Sequence, residues 1–394
     1  MSLIQEKVAQ AAGLLRELDL PCWLTFVRET GILPDPVMPF LAPGHVTWHS
    51  AFLVPANGEA IAIVGQYDRK AIEETGAYRR VEGYVESFKA PLLEALRALD
   101  PAAIAVNYSE DSEVCDGLTH GMFLTLRRVL AEDGYAGRLV SAERLVAALR
   151  ARKTPGELAR IAAAVRETER IFDEVGRFLA PGRTERDVAG FVTRLRTERG
   201  FDVAWEASTC PAVFTGPDTA GAHYGPTERA IARGHVVNMD FGVKHEDYCA
   251  DLQRTFYVLR ESEPDAPGPV VRGFETIVRA IEASRRALRP GVVGRDVDRV
   301  AREVLTAAGY NEFPHALGHQ VGRFAHDGAA LLGPMWEKYG GRPLVPIEEG
   351  MVFTLEPRLT VEGYGVATVE EMVVVTATGA EFLSNAQTEL RLVG

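Results

Sequence analysis

The sequence predicts an α/β protein in which a small N-terminal α/β domain, residues 1–150, precedes a larger domain, residues 151–394, built from two related halves. The segment from Thr154 to Glu157 has the pattern of a capping box with proline at the first helical position, so a new helix and a domain junction are expected there. The pattern PGxxxRDV occurs at Pro181 and again at Pro290, which indicates an internal repeat.

The N-terminal domain is expected to combine helices with several strands. Its first segment carries apolar residues on one helical stripe and predicts an amphipathic surface helix. Strands are predicted at Cys22–Val27, on both sides of the hairpin signal at Gly58, and at residues 103–106. Three histidines have no carboxylate or cysteine at ligand spacing and are interpreted as structural: His45, His49 and His120.

Each copy of the repeat contains a long helix, a Pro-Gly break and a second amphipathic helix that ends at a glycine followed by an aromatic residue. These ends are Gly200-Phe201 in the first copy and Gly309-Tyr310 in the second. Strand-like stretches follow each copy. Two such units are expected to pack as related halves around one core.

Composition and charge narrow the classes of partner. The formal net charge is −12, which repels phosphate backbones and anionic lipid, so nucleic acid and membrane partners are not expected. The first residues carry charges where a secretory segment would be apolar, and no uncharged apolar run approaches about 18 residues. Four scattered cysteines without a CxxC pair predict buried free thiols in a reducing compartment. We therefore expect a cytoplasmic protein.

Two aspartates in the first half of the repeat are candidate metal ligands. Strand-like segments surround Asp240 and Asp251, with the polar residues 244–247 between them. A hairpin turn centred between positions 245 and 246 would place the two carboxylates directly opposite each other on one face of the sheet. Carboxylates at that distance repel each other unless a cation lies between them. Taken alone, the pattern fits two solvent-facing aspartates on an exposed sheet face equally well.

The second half repeats this acidic pattern. Gly234 precedes Asp240 by six residues, and Gly350 precedes Glu356 by the same interval. Glu370 follows across a glycine-containing turn and comes before an apolar strand. Four carboxylates that converge in a core would have strongly raised pKa values unless divalent cations offset their repulsion. The sequence therefore predicts a metal centre where the two halves meet.

Histidines complete the candidate site. His315 and His319 lie four residues apart in a glycine-spaced segment, and His326 follows seven residues after His319. Three of the nine histidines fall within these twelve residues, beside the acidic cluster, which favours a role in the site over a structural one. A set of carboxylates with one imidazole favours Mn²⁺, Co²⁺, Fe²⁺ or Zn²⁺ over a cysteine-based structural zinc site.

These segments resemble the pita-bread metallopeptidases, the family of methionine aminopeptidase, aminopeptidase P and prolidase. In that family two Asp, eleven residues apart, a His in a GHxxG segment and two Glu bind two metal ions. The matching residues are Asp240, Asp251, His319, Glu356 and Glu370. The resemblance covers roughly residues 150–394 and places the family's two further site histidines at His223 and His326. The N-terminal domain is similar, more weakly, to that of prolidase, aminopeptidase P and creatinase.

The resemblance implies hydrolysis of Xaa-Pro dipeptides, the prolidase reaction, with two divalent ions, Mn²⁺ first among them, and a bridging hydroxide that attacks the scissile carbonyl. Glu356 would carry a proton to the leaving proline nitrogen, and His223 and His326 would orient the substrate and stabilise the tetrahedral intermediate. The alternatives are an aminopeptidase P acting on longer peptides and a non-catalytic peptide-binding protein. Creatinase-like chemistry is disfavoured because that relative lacks the metal ligands. Relatives with the extra domain imply a homodimer.

Departures from the family pattern concern substrate binding. The common HGxGH reads HALGH from His315, Arg358 replaces the usual glycine after the Glu-Pro pair, and Thr368 stands where an arginine is frequent. His315 and Arg358 are therefore the candidate substrate-binding residues, with Arg358 in place of the missing arginine. The segment 336–341 is either a loop over the site or a surface excursion, and the sequence leaves both open.

Overall fold

The computed structural model describes residues 1–218 and 224–394. The chain divides into two compact units, Met1–Arg150 and Ala151–Gly394. No helix in the described ranges is long and apolar enough to cross a membrane. All four cysteines are buried free thiols, as their spacing predicted.

The first unit is built around a six-stranded mixed sheet. Its strands are β1 (Cys22–Val27), β2 (Ser50–Pro55), β3 (Ile61–Gly65), β4 (Arg80–Tyr84), β5 (Ile104–Val106) and β6 (Leu139–Ser141). Its helices are α1 (Leu3–Glu17), α2 (Arg69–Glu73), α3 (Lys89–Leu99), α4 (His120–Ala131) and α5 (Glu143–Ala151). The strand order is β4-β3-β2-β1-β5-β6. Apolar side chains are buried on both faces of the sheet, with Trp23 in one cluster and Leu24 in the other.

Local signals in the sequence explain how this unit begins. Ser2 caps α1, because its side chain accepts a hydrogen bond from the backbone N–H of Gln5 in a capping box. The predicted apolar stripe of α1 is buried at Val8 and Leu15. Gly58 has a φ of 85° and turns the chain between β2 and β3, which confirms the predicted hairpin.

The second unit carries long helices followed by short strands, twice. Its helices are α6 (Pro155–Phe178), α7 (Glu185–Glu198), α8 (Gly268–Ala287) and α9 (Gly294–Ala307). Strands of its first half are β7 (Asp202–Val203), β8 (Ala212–Thr215), β9 (Val236–Phe241), β10 (Val243–His245), β11 (Tyr248–Cys249) and β12 (Leu252–Val258). Strands of its second half are β13 (Gly318–His319), β14 (Leu331–Leu332), β15 (Val352–Leu355), β16 (Arg358–Val361), β17 (Gly365–Thr368), β18 (Glu371–Val375), β19 (Ala380–Phe382) and β20 (Arg391–Val393).

The two main sheets of this unit have the orders β20-β12-β9-β8 and β15-β18-β19. In each sheet, the strand that carries or leads into the acid six residues after a glycine pairs antiparallel with a later strand, β9 with β12 and β15 with β18. The smaller pairings are β11-β10-β7, β13-β14 and β16-β17. A single isolated bridge, between Gln253 and Glu370, joins a residue of β12 to the residue before β18. The two halves therefore meet at this bridge as well as along the paired strands β12 and β20.

Equivalent backbone contacts confirm the internal repeat. The helix pair α6–α7 opens the first half and α8–α9 the second, and α6 begins at the predicted capping box of Thr154. At the first Pro-Gly break, the N–H of Gly182 donates to the carbonyl oxygen of Ile231 at 2.8 Å. At the second, the N–H of Gly291 donates to that of Ile347 at 2.9 Å. Each break is thus tied to the segment that leads into β9 or β15.

One prediction about the first acidic pair is wrong. The register of β9 and β12 places Asp240 opposite Gln253, and Asp251 lies just before β12. The hairpin turn consists of Glu246 and Asp247, one residue later than predicted, because β10 continues to the residue before them. Asp240 and Asp251 are therefore not directly opposed, although both remain at the same end of this strand pair.

Candidate metal centre

The candidate ligands lie at strand ends contributed by both halves of the second unit. Asp240 is in β9 and Asp251 directly precedes β12. Glu356 directly follows β15, and Glu370 directly precedes β18. Because β9–β12 and β15–β18 are joined by the bridge at Glu370, the four carboxylates converge where the halves meet. The fifth candidate, His319, is in β13.

Distances bring these side chains into one group. Ligand atoms of Asp251, His319 and Glu370 all lie within 4.8 Å of one another. The Nε2 of His319 is 3.7 Å from Asp251 Oδ2 and 3.5 Å from Glu356 Oε1. Divalent ions bind at about 2.0–2.6 Å from oxygen and nitrogen ligands, so atoms at these separations can share an ion.

The carboxylates raise one another's pKa values. Burial raises the pKa of Asp240 to about 7. Burial, followed by the charges of Asp240 and Glu356, raises the pKa of Asp251 well above its usual range. The pKa values of Glu356 and Glu370 are raised by burial and then by the other acids of the group. A cluster of this kind favours either protons or cations, and divalent cations satisfy it at neutral pH.

An unpaired oxygen marks where a cation fits. Asp240 Oδ1 is buried and has no hydrogen-bond partner within the described part of the chain. Leaving a buried carboxylate oxygen unpaired is costly, so such atoms are normally satisfied by protein, water or an ion. The donor set of four carboxylates and one imidazole suits hard or borderline divalent ions. The residues present therefore fit a divalent metal centre.

The orientation of His319 suits a metal ligand. A Cβ at Gly318 would lie 1.9 Å from the carbonyl oxygen of Thr354, so only glycine lets β13 approach β15 this closely. The backbone N–H of His319 donates to Thr354 Oγ1 at 3.2 Å. Its Nδ1 faces the carbonyl oxygen of Gln320 at 3.4 Å, which favours a proton on Nδ1 and leaves the Nε2 lone pair toward the carboxylates. Burial lowers the pKa of His319 to about 3, so its ring is neutral at physiological pH.

Two further site histidines were predicted, His326 and His223, and the structure describes the first of them. The ring of His326 meets that of His319 edge-on, with centroids 4.2 Å apart, so these two imidazoles are brought together. His326 is exposed to solvent. His223 lies outside the described residues.

His315 and Arg358 lie beside the ligand cluster. Burial, together with the nearby charge of Arg358, lowers the pKa of His315 to about 4. Arg358 follows Glu356 by two residues and pairs with Thr368 across the β16–β17 hairpin. Within the described residues, no hydrogen bond or ion pair is formed by the half-buried Arg358 guanidinium, and burial lowers its pKa. Thr368 Oγ1 is likewise buried without a hydrogen-bond partner there.

Sequence reasoning missed a buried ion pair that holds the segment before His319. Asp298 and Arg302 of α9 bind each other, with Arg302 Nε 2.7 Å from Asp298 Oδ2. Asp298 also accepts a hydrogen bond from the N–H of Leu317 at 3.1 Å, and Arg302 donates to the carbonyl oxygen of His315 at 2.6 Å. The i, i+4 spacing of these charges was visible, but it is typical of exposed helix surfaces.

Gln253 was also missed. Its side-chain amide hydrogen-bonds to the Glu370 carboxylate, and it lies opposite Asp240. A signal for it was present, since residues two apart on a strand share a face and Gln253 follows Asp251 by two.

Comparison with known proteins identifies a family and several relatives of about 30% identity or less. The sequence profile of metallopeptidase family M24 matches residues 159–377. A probable dipeptidase PepE of Mycobacterium tuberculosis is 30% identical over 87% of this chain and 85% of its own length. An Xaa-Pro dipeptidase of Lactobacillus helveticus is 30% identical over 62% of this chain and 63% of its own length. The crystal structure of dipeptidase PepE from Mycobacterium ulcerans has a TM-score of 0.72 and 26% identity, and covers 99% of this chain and 98% of that one.

Proposed function

The chain belongs to metallopeptidase family M24, and we propose that it hydrolyses Xaa-Pro dipeptides at the bond before proline. The predicted fold class, a small N-terminal α/β domain followed by a pseudo-twofold pita-bread catalytic domain, is confirmed. The coarser activity, a hydrolase with dipeptidase relatives, follows from family membership. Specificity for proline and the use of two ions belong to the proposal.

The observation that carries the proposal is the convergence of four carboxylates, with Asp251 and Glu370 buried, beside the imidazole of His319. Asp251, His319 and Glu370 form the tightest group, and Glu356 reaches it through a 3.5 Å contact with His319 Nε2. Asp240 contributes a buried oxygen without a partner in the described residues. We propose that these five residues together hold two divalent ions.

Bound divalent ions would lower the pKa of a water molecule and polarise the scissile carbonyl. The protein's own side chains would transfer the proton and bind the substrate. Glu356 is proposed to move a proton from the attacking water to the leaving proline nitrogen, because its side chain is partly exposed, at 19%, and its Oε1 lies 3.5 Å from His319 Nε2. His326 and His223 are proposed to orient the substrate and stabilise the developing negative charge.

Recognition of a dipeptide requires a group that binds the free carboxylate after proline. Arg358 supplies a half-buried guanidinium without an ion-pair partner among the described residues, two residues from Glu356. An unpaired cation that has lost part of its hydration is stabilised by an anionic ligand. We propose that Arg358 and His315 bind the proline end of the substrate, and that the unpaired Thr368 hydroxyl lies in the same subsite.

The test is proline release from Ala-Pro by purified protein, before chelation, after chelation and after adding Mn²⁺. We expect activity to disappear with the chelator and to return with the metal. Ala-Ala serves as the matched dipeptide without proline. An inactive chelated enzyme that regains Ala-Pro hydrolysis but cleaves Ala-Ala much more slowly supports both parts of the proposal. Hydrolysis that survives removal of all bound metal would overturn the metal-dependent mechanism.

The rival within the fold is an aminopeptidase P, which takes longer peptides. Comparing Ala-Pro with Ala-Pro-Ala separates the two functions, because the longer peptide has no free carboxylate next to proline. Cleavage of Ala-Pro-Ala with silence on Ala-Pro would establish the rival. Metal binding without any peptide hydrolysis would indicate the non-catalytic peptide-binding alternative.

Three further properties are proposed on the family resemblance. Mn²⁺ is proposed as the activating ion, with Co²⁺, Zn²⁺ and Fe²⁺ as alternatives that metal analysis of the purified protein would distinguish. A homodimer is proposed because family members with this N-terminal domain are generally dimeric, and sedimentation would test it. A cytoplasmic location is proposed from the buried free thiols.

A further inference from the structure

We propose that Arg254 is a positioning residue for the metal centre. Its guanidinium hydrogen-bonds to the backbone of Gln253 and Glu370 on the face opposite the ligand side chains. It thereby holds the two halves of the ligand set at the separation that binds a divalent ion. The proposal rests on the metal centre of the proposed function. Arg254 lies in β12, and its side chain is only 1% exposed. It contacts neither the ligand carboxylates nor His319 in any hydrogen bond described, so it would act through the backbone alone.

The contacts of Arg254 fall on both sides of the bridge that joins the halves. Its Nη1 donates to the carbonyl oxygen of Gln253 and to that of Glu370, each at 3.0 Å. Gln253 and Glu370 are the two residues of the isolated bridge, with N–H to carbonyl oxygen distances of 3.4 and 3.2 Å. One guanidinium nitrogen thus binds the backbone of both residues that form the bridge.

The side chains around this bridge form two layers. Gln253 faces the metal centre, where its amide binds the Glu370 carboxylate. The next residue on β12, Arg254, points to the opposite face, because successive side chains on a strand alternate. The same alternation holds on the other strand, where Glu370 belongs to the metal centre and Glu371 binds Arg254. A buried ion pair therefore lies directly behind the ligand cluster.

The ion pair is built for fixed geometry. Arg254 makes two contacts of 3.2 Å with the Glu371 carboxylate, Nη1 to Oε1 and Nη2 to Oε2. Glu371 in turn accepts hydrogen bonds from the Ser384 hydroxyl and from the backbone N–H of Gln387. The ring of Phe172 in α6 packs against the guanidinium at 5.7 Å. The guanidinium is thus held by the Glu371 carboxylate, by backbone carbonyls and by an aromatic ring, and Glu169 lies 3.6 Å from its Nη2.

Stability alone does not explain this arrangement. Replacing a buried ion pair by apolar residues of similar volume is frequently neutral or stabilising, since the desolvation of both charges is avoided. Residues that orient metal ligands without touching the ion commonly change metal affinity by about 10–100-fold when they are removed. The position of the pair, at an isolated bridge that carries the candidate ligand Glu370, favours this second role.

The experiment measures Mn²⁺ affinity of the full-length, metal-stripped protein by competition with a chelating indicator, together with its thermal midpoint. The variants are Arg254→Met, Glu371→Gln and the double variant Arg254→Met with Glu371→Leu. Arg285→Met is the matched control, because Arg285 also binds a carboxylate, Glu282, and a backbone carbonyl, that of Ala380, away from the site. We expect about 10–100-fold weaker Mn²⁺ binding in the three variants and wild-type affinity in the control.

The double variant separates positioning from stability. It should regain most of the thermal midpoint lost in Arg254→Met, because the buried charge of Glu371 is removed together with that of Arg254, yet still bind Mn²⁺ weakly. A folded double variant with wild-type affinity would overturn the proposal. If the Arg254 variants do not fold, the nearly isosteric Glu371→Gln decides by the same criterion. Absence of Mn²⁺ binding in the wild-type protein would instead overturn the proposed function, so the two failures are distinct.

Discussion

Asp240 shows in one residue why the candidate centre favours cations. Its carboxylate is surrounded by other acids, its Oδ1 has no hydrogen-bond partner in the described residues, and burial raises its pKa from 3.8 to about 7. In the metal-free protein, the folded state therefore keeps a proton that the unfolded chain releases between these two values. By linkage, the stability of the metal-free protein must fall as the pH rises through this interval.

We expect Asp240→Asn to stabilise the metal-free protein near pH 7.5, by at least about 2 °C in Tm, and to have little effect near pH 4. Asparagine carries no proton that is lost in this interval, so the fall in stability with rising pH should be smaller. Thermal unfolding of chelator-treated protein at a series of pH values measures this.

Glu261→Gln is the control, because it removes one exposed acid elsewhere in the same unit. If Asp240→Asn lowered the Tm at neutral pH, or if its effect did not depend on pH, the raised pKa inferred for Asp240 would be wrong.

Arg358 is expected to set substrate specificity. We predict that Arg358→Gln raises KM for Ala-Pro about 10–100-fold, the range expected for loss of one hydrogen bond to a charged group, and changes KM for Ala-Pro amide much less. Steady-state kinetics on the two substrates give the comparison. Arg295→Gln, at an exposed position of α9, is the control variant. An equal rise in KM for both substrates would show that Arg358 does not bind the carboxylate.

For individual residues, the sequence predicted which residues belong to the site better than it predicted the residues that bind and hold them. The acids were recognisable because identical glycine spacings precede Asp240 and Glu356. Gln253 and Arg254 were not, because a neutral amide and an arginine in an apolar strand have many structural explanations, and the two-residue spacing of Gln253 from Asp251 was the one signal available. Their roles depend on which strand lies across from them, and that pairing joins residues more than 100 positions apart.

Among the strands and helices, the short β13 has the strictest steric requirement. It can carry His319 toward the carboxylates only because Gly318 lets its backbone approach the Thr354 carbonyl of β15. We expect Gly318→Ala to lower Mn²⁺ affinity at least about tenfold and to reduce thermal stability, since the added Cβ must push the two strands apart. Metal titration and thermal unfolding of the variant provide the measurements.

Gly190→Ala in α7 is the matched glycine control. A Cβ at Gly190 meets no atom within 4 Å, so the substitution should leave metal binding unchanged and stabilise the helix by about 0.5–1 kcal/mol. Wild-type Mn²⁺ affinity in Gly318→Ala would mean that the close approach of β13 and β15 is not needed for the site.

The hairpin between β10 and β11 shows why one register was mispredicted. Its turn residues, Glu246 and Asp247, both have positive φ, 45° and 65°. Such a two-residue turn is normally signalled by Asn-Gly or Asp-Gly, and neither occurs here. Without that signal, the centre of the turn was placed by symmetry of the polar segment, one residue early. By contrast, α6 was predicted correctly because its capping box is explicit in the sequence.

In the whole molecule, every described candidate ligand belongs to the second unit, Ala151–Gly394. This unit has its own apolar core, formed by helices α8 and α9 and the strands of the second half. We therefore predict that a fragment of residues 151–394 folds and binds Mn²⁺ within about threefold of the full-length affinity. Calorimetric titration of the fragment measures this.

The same fragment with Asp251→Ala is the control and should bind no Mn²⁺. A fragment that folds cooperatively but does not bind the ion would show that the first unit is needed to complete the site, which would contradict the assignment of all ligands to the second unit.

The division of the ligand set between the two halves bears on how such a centre could have arisen. Asp240 and Asp251 come from one copy of the repeat, while His319, Glu356 and Glu370 come from the other. If the repeat arose by gene duplication, a half-length ancestor carried only part of a site and could enclose an ion only by pairing with a second copy of itself. Fusion would then have freed the copies to diverge, one keeping its aspartates while the other gained longer acids and an imidazole.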